Sequence, residues 1–133
     1  MTFEDKCELI VRDWFNSMLG FKVEKAAGQF SHFDLVGKTP KGYDCVIEIK
    51  TRDKYYPTKM LEKYKYDKIM SLNPKFVKLY VVWDSKGLWT FHLNNLTMPQ
   101  VQTIGCPKTS RFDNNQKTGK QVYNLPESLA LNI

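Results

Sequence analysis

The sequence predicts one α/β domain, in which helices flank a mixed β-sheet. Segments with helical periodicity and segments with alternating apolar and polar residues follow one another along the chain. Phe76–Trp83 is a nearly continuous apolar run, typical of a central strand covered on both faces. The 133 residues suit a single domain, with a core over about residues 1–95 and a short C-terminal extension over about residues 96–133.

Two helices are predicted from capping residues and helix breakers. Thr2 is placed to cap a helix over about Phe3–Leu19, and Gly20 is a natural end to it. Pro57 is placed to begin a second helix over about Thr58–Leu72. The second segment has a poor apolar stripe, so its composition and length carry that prediction.

Strands are predicted where apolar and polar residues alternate between turn residues. In the core they are Phe21–Ala26, Phe33–Gly37, Tyr43–Lys50, Phe76–Trp83 and Leu88–Leu93. In the extension, Cys106–Phe112 and Thr118–Tyr123 are predicted as two short strands joined by a polar turn. This C-terminal hairpin is either a substrate-gripping arm or a solvated loop.

The hairpin around residues 34–50 brings chemically active side chains together. Its second strand, Tyr43–Lys50, alternates as a half-buried strand does, so Glu48 and Lys50 point to the same face. The turn at residues 38–42 places Asp34 beside Glu48. Two adjacent carboxylates repel each other unless a cation lies between them, and hard oxygen ligands suit Mg²⁺, for which Mn²⁺ can substitute.

Asp34, followed after thirteen residues by Glu48-Ile49-Lys50, resembles the D-(x)n-(D/E)-x-K signature of the PD-(D/E)XK, or restriction-endonuclease-like, nuclease superfamily. Phe33 stands where the family name has proline, a departure that many members share. The resemblance covers the first 95 residues or so in the order of elements. It implies an αβββαβ core and a Mg²⁺-dependent endonuclease of phage, mobile-element or junction-resolvase type.

The resemblance also implies a set of metal ligands. Asp34 is the central ligand and Glu48 the second, with the backbone carbonyl of Ile49 as a third. A glutamate of the first helix completes the site in many of the resembling nucleases. The family spacing points to Glu8, whereas Glu4 lies closer to the apolar face of the helix.

Further residues are candidates for the chemistry itself. In several of the resembling nucleases a Gln or Lys of the second helix reaches the active site, and here the resemblance points to Lys59 and Lys63. The resemblance gives Lys50 the role of orienting the attacking water and offsetting charge on the phosphate oxygens. His32 lies two residues before Asp34. It is a candidate to bind the metal or to contact the scissile phosphate, and the alternative is a loop histidine with neither role.

Positive charge is concentrated directly after the Glu48/Lys50 pair. Residues 50–78 carry nine Lys and Arg against three Asp and Glu, which equals the net charge of +6 for the whole chain. This excess favours a polyanionic partner, although a solvated helix face of lysines is the alternative. The candidate nucleic-acid contacts are Arg52, Lys54, Tyr55, Tyr56, Lys59, Lys63, Lys108, Arg111, Lys117 and Lys120.

The function expected from these observations is a DNA endonuclease, either structure-selective or of the homing or restriction type. The alternatives are an RNA endonuclease, an exonuclease, a non-catalytic nucleic-acid-binding module of the same fold, and a structural viral or mobile-element protein. No stretch approaches the ~20 apolar residues of a membrane span, and the N-terminus is too acidic for a secretory signal. The three widely spaced cysteines favour reduced thiols, so we expect an intracellular protein in the cytoplasm, that of the host if a phage encodes it. Dimerisation is left open.

Overall fold

The computed structural model describes the backbone of residues 1–107 and 117–131 and the side chains of residues 1–105 and 119–131. The chain begins with helix α1, Phe3–Met18, close to the predicted bounds. Thr2 and Asp5 form a capping box, in which each side chain accepts a 3.1 Å hydrogen bond from the backbone N–H of the other. The buried residues of α1 are Cys7, Val11 and Phe15.

The main sheet carries the predicted core strands. Its strands are β1 (Lys22–Lys25), β2 (Leu35–Lys38), β3 (Asp44–Thr51), β5 (Val77–Asp84) and β6 (Gly87–His92). They lie in the order β1-β2-β3-β5-β6. Only the β3–β5 pair is parallel among these neighbours, so the sheet is mixed as predicted.

The crossover between β3 and β5 corrects the predicted second helix. Residues Thr58–Glu62 form strand β4, and helix α2 is confined to Lys63–Met70. The side chains of Lys59 and Leu61 alternate inward, which is strand periodicity, and β4 pairs along its whole length with a C-terminal strand. The expected helix is therefore wrong over its first five residues.

The C-terminal residues form a second sheet with β4. Its other strands are β7 (Gln102–Pro107) and β8 (Lys117–Pro126), and its order is β4-β8-β7. Both strands start or end outside the predicted bounds, and β8 runs to Pro126 because it pairs with all of β4. Tyr123 and Leu125 are buried in the same core as Tyr80 and Phe91 of the main sheet. The extension therefore packs against the core.

Strand β3 is covered on both faces. Cys45 and Ile47 pack under α1, and Val46 packs in the other cluster, beneath α2 and the second sheet. All three are fully buried, so the expectation of a half-buried strand is wrong. Asp44, at its start, is exposed, and its side chains from Glu48 onward are half-buried.

No helix within the described residues is long and apolar enough to cross a membrane.

Candidate active site

Asp34 lies at the point where the chain enters β2, directly across from β3. The register pairs Leu35 with Ile47, so one further step places Asp34 opposite Glu48. The Asp34 N–H donates to the Ile47 carbonyl at 3.2 Å. Its carboxylate Oδ2 accepts a 2.6 Å hydrogen bond from the Ile49 N–H. The hairpin thus brings Asp34 to the Glu48-Ile49-Lys50 segment, as the sequence predicts.

Glu8 of α1 joins these two acids. Burial raises the pKa of Glu8 to about 7, helped by hydrogen bonding to Asp34 and repulsion from its charge. On its open side, Glu8 lines a cavity of about 280 Å³ together with Asp5 and Lys25. Glu4 is exposed and lines a different groove with Lys50. Of the two predicted glutamates, Glu8 is the one placed against Asp34.

Glu48 is largely buried, with a side chain that is 15% exposed. Burial raises the pKa of Glu48 to about 8, and repulsion from Asp34 and Glu8 adds to the effect. The Nζ of Lys65, on α2, lies 3.8 Å from Glu48 Oε1 and opposes that rise. Three carboxylates therefore share one region of low solvation, where a bound cation would relieve their repulsion.

Lys50 projects from β3 to the same face as Glu48, two residues further on. Burial lowers the pKa of Lys50, as do the positive charges of Arg52 and Lys65, while Glu62 opposes them. Its ammonium group is thus partly dehydrated and lies at the edge of the acidic cluster.

The backbone of Ile49 is also available to this cluster. The Ile47 carbonyl points toward β2, and the backbone groups of Ile49, two residues on, point to the same edge. The Ile49 N–H is bound by Asp34, beyond the start of β2. Its carbonyl oxygen therefore faces the region that Asp34 occupies.

The donors in this cluster fit a hard divalent cation in their chemistry, since carboxylate and carbonyl oxygens are the ligands that Mg²⁺ and Mn²⁺ prefer. Within the side chains that the structure describes, no three His, Cys, Asp or Glu groups already lie at ligand spacing around one point.

The loop after β3 forms a basic groove beside Lys50. Its volume is about 400 Å³, and Arg52, Lys54 and Tyr56 line it. Its charged lining residues are three basic and two acidic ones, the acids being Glu4 and Asp53. Lys54 and Tyr56 are exposed, and Arg52 is half-buried. These three candidate nucleic-acid contacts are therefore adjacent to the acidic cluster.

Other candidate contacts have structural partners. Lys59 is buried and forms a 2.8 Å ion pair with Asp84, so its predicted contact with nucleic acid is not supported. The Tyr55 hydroxyl donates to the Glu127 carboxylate, and the Lys63 ammonium pairs with Asp67 at 2.5 Å.

The remaining candidates are dispersed. The Lys120 ammonium lies 3.5 Å from Glu62 and close enough to influence Lys50, so it borders the site. His32 is exposed in a turn before Asp34. Lys108 and Arg111 lie outside the described residues, as does the side chain of Lys117.

Sequence reasoning missed Lys65 as the lysine of α2 that reaches the acids. The predicted helix began at Thr58, which directed attention to Lys59 and Lys63. No apolar–polar alternation marks this segment as a strand, since Lys59 shares a face with Leu61 and Glu62 shares the other with Met60. With α2 beginning at Lys63, Lys65 lies in its first turn.

No family model matches the chain, and neither does any curated protein. Among solved structures, the fold is similar to that of Hjc, a Holliday junction resolvase from the archaeal hyperthermophile Archaeoglobus fulgidus. The TM-score is 0.58 at 14% sequence identity, and the match covers 94% of this chain and 93% of Hjc. The likeness thus extends beyond residue 95, where the motif resemblance ended. The chain has the restriction-endonuclease-like fold of that nuclease.

Proposed function

We propose that the protein is a metal-dependent DNA endonuclease that acts on branched DNA. The observation that carries this proposal is the convergence of Glu8, Asp34 and Glu48 beside Lys50 on one edge of the sheet. Buried like charges destabilise a fold, so their retention here is best explained by a function that uses them. The similarity to a Holliday junction resolvase supports a branched substrate.

The acids and one carbonyl would hold the cation. Asp34 and Glu48 are the principal ligands, with Glu8 and the Ile49 carbonyl as the others. A Mg²⁺ ion bound there supplies Lewis acidity to the phosphate and lowers the pKa of a bound water, and Mn²⁺ can substitute. Because its Oδ2 is held by the Ile49 N–H, Asp34 presents its other oxygen in a fixed direction.

Lys50 acts on the phosphate and the water. Its ammonium group donates hydrogen bonds to a non-bridging phosphate oxygen and to the attacking water, and it offsets the negative charge that builds up in the transition state. The low solvation that depresses the pKa of Lys50 also strengthens these interactions.

The basic groove holds the substrate backbone. Arg52 and Lys54 neutralise phosphates next to the one that is cleaved, and Lys120 contributes from the second sheet. Cutting both strands at a branch requires two sites, so we also propose that two chains act together. Sedimentation of the protein with and without a four-way junction measures this assembly.

Cleavage assays test the function. Wild type, Asp34→Ala and Lys50→Ala are incubated with supercoiled plasmid, a four-way DNA junction or a structured RNA, each with Mg²⁺, Mn²⁺ or EDTA. We expect metal-dependent cleavage of the junction by the wild type alone. Cleavage that survives in both variants would contradict the assigned site, preferential RNA cleavage would reassign the substrate, and binding without cleavage would favour a non-catalytic module.

A further inference from the structure

A second cavity adjoins the groove that contains Lys50 and shares Arg52, Lys54 and Tyr56 with it. It has a volume of about 300 Å³ and opens between the loop after β3, the end of β5 and the second sheet. Arg52 lines both this cavity and the groove that contains Lys50. Sites for small organic ligands begin at about 300 Å³. The cavity is therefore large enough for a nucleobase with its sugar and is adjacent to the proposed cleavage site.

The walls of the cavity offer three kinds of contact. Tyr56 is 53% exposed and presents an aromatic face, and Arg52 and Lys54 supply positive charge. Asn124 of β8 donates one hydrogen bond from Nδ2 to Gln102 at 2.7 Å. No other side-chain hydrogen bond of Asn124 is found within the described part of the chain, so its carbonyl oxygen and second N–H can bond a ligand. An aromatic face, a two-way hydrogen-bonding amide and cations together suit a nucleotide.

The floor of the cavity is rigid. Lys59 and Asp84 line it as an ion pair with side chains only 2% and 1% exposed. The Lys59 ammonium also donates to the Tyr56 carbonyl at 2.6 Å, which fixes the backbone that carries the Tyr56 ring. It lies over the rings of Tyr55 and Trp89, at 4.2 and 4.6 Å from their centroids. Every buried side-chain polar atom within the described residues has a hydrogen-bond partner. The floor therefore needs no ligand to complete its hydrogen bonds, and it holds the walls of the cavity in place.

We infer that this cavity binds one unpaired nucleotide of the DNA substrate, next to the phosphate that is cleaved. The base stacks on Tyr56, its edge bonds Asn124, and its phosphates lie against Arg52 and Lys54. A paired base cannot enter, because its faces are stacked and its edge is already bonded within the duplex. The inference rests on the proposed nuclease function and gives it a means of selecting branched or distorted DNA.

Binding measurements in EDTA test the inference separately from cleavage. Fluorescence anisotropy gives the affinities for three labelled duplexes: one fully paired, one with a single extrahelical adenine, and one with an extrahelical abasic residue. Wild type, Tyr56→Ala and Asn124→Ala are compared with Tyr43→Ala. Tyr43 is a matched control because it is 58% exposed and lies in the turn before β3, whereas the cavity adjoins the loop after β3. Circular dichroism verifies that each variant is folded.

We expect the wild type and Tyr43→Ala to bind the adenine bulge about tenfold more tightly than the other two duplexes, because one stacked base supplies about that preference. Tyr56→Ala and Asn124→Ala should lose most of this preference, measured for each variant as the ratio of its affinities for the bulged and the paired duplex. The ratio is used because Tyr56 also lines the groove beside Lys50, so its loss can weaken binding of all three duplexes. Equal wild-type affinities for all three duplexes, including no measurable binding, would overturn the inference. So would a preference that persists for the abasic residue. Cleavage of the same duplexes with Mg²⁺ tests the nuclease function independently.

Discussion

The carboxylate of Asp34 accepts a 2.6 Å hydrogen bond from the backbone N–H of Ile49. This bond joins the start of β2 to the segment of β3 that carries Glu48 and Lys50. The Asp34 side chain thus has two roles. Its structural role needs only a hydrogen-bond acceptor, whereas its proposed metal-binding role needs a negative charge. Two substitutions distinguish these roles.

Asp34→Asn keeps an oxygen for the Ile49 N–H but removes the charge. We expect it to abolish cleavage while its free energy of unfolding equals or exceeds that of the wild type, because repulsion of Glu8 and Glu48 is relieved. Asp34→Ala should abolish cleavage and unfold about 1–3 kcal/mol more easily than Asp34→Asn, since it leaves the N–H unpaired. Urea unfolding and junction cleavage measure the two effects. Wild-type cleavage by Asp34→Asn would contradict the metal-binding role.

Glu48 makes the stability of the metal-free protein depend on pH from the acid range up to about pH 8. The folded protein raises its pKa to about 8, whereas an unfolded chain ionises near about pH 4.3. Between those values the folded state binds the extra proton, so the stability of the wild type falls as pH rises, by up to about 1.4 kcal/mol per pH unit.

In EDTA, we therefore expect Glu48→Gln to gain stability over the wild type by a few kcal/mol between about pH 5 and pH 8. Urea unfolding across this range measures the difference. Glu24→Gln, at a carboxylate that is 78% exposed, is the control and should follow the wild type. If the free energies of unfolding of Glu48→Gln and the wild type changed in parallel with pH, the folded protein would not raise the pKa of Glu48.

Lys50→Met separates catalysis from binding. The variant keeps the length of the side chain but cannot donate to phosphate or water. We expect the single-turnover cleavage rate to fall by at least about 100-fold, the effect of losing one transition-state donor, while junction affinity changes by less than about threefold. An affinity that falls in step with the rate would make Lys50 a binding residue instead.

Lys65 and Lys63 are neighbours with different expected effects. The Lys65 ammonium lies 3.8 Å from Glu48 and holds the pKa of that carboxyl down, whereas Lys63 pairs with Asp67 at 2.5 Å. Lys65→Ala should therefore raise the pKa of Glu48 further and shift the pH–rate profile of cleavage to higher pH. Lys63→Ala should leave the profile in place. Identical profiles for the two variants would exclude the Lys65–Glu48 interaction from the site.

The central hairpin could be predicted from the sequence because the residues that determine it are close together in the chain. Alternation placed Glu48 and Lys50 on one face, and the turn at residues 38–42 placed Asp34 across from them. The start of α1 and the buried strand β5 also depend on local sequence, the first on the capping residue Thr2 and the second on an apolar run. Both predictions are confirmed.

What the sequence could not provide depends on distant partners. Lys59 reads as a surface cation, but Asp84, twenty-five positions away, neutralises it in the core. Strand β4 forms because β8, more than fifty residues further along, supplies its hydrogen bonds. That pairing also delays the start of α2 and brings Lys65, instead of Lys59 or Lys63, to Glu48.

Mn²⁺ binding tests the central claim most directly, that these acids form one cation site. Electron paramagnetic resonance counts free Mn²⁺ in titrations of the wild type, Asp34→Asn and the exposed-site control Glu24→Gln. The account predicts saturable binding to the wild type and to Glu24→Gln, and its loss in Asp34→Asn. Equal Mn²⁺ binding by all three proteins, or binding by none, would contradict it.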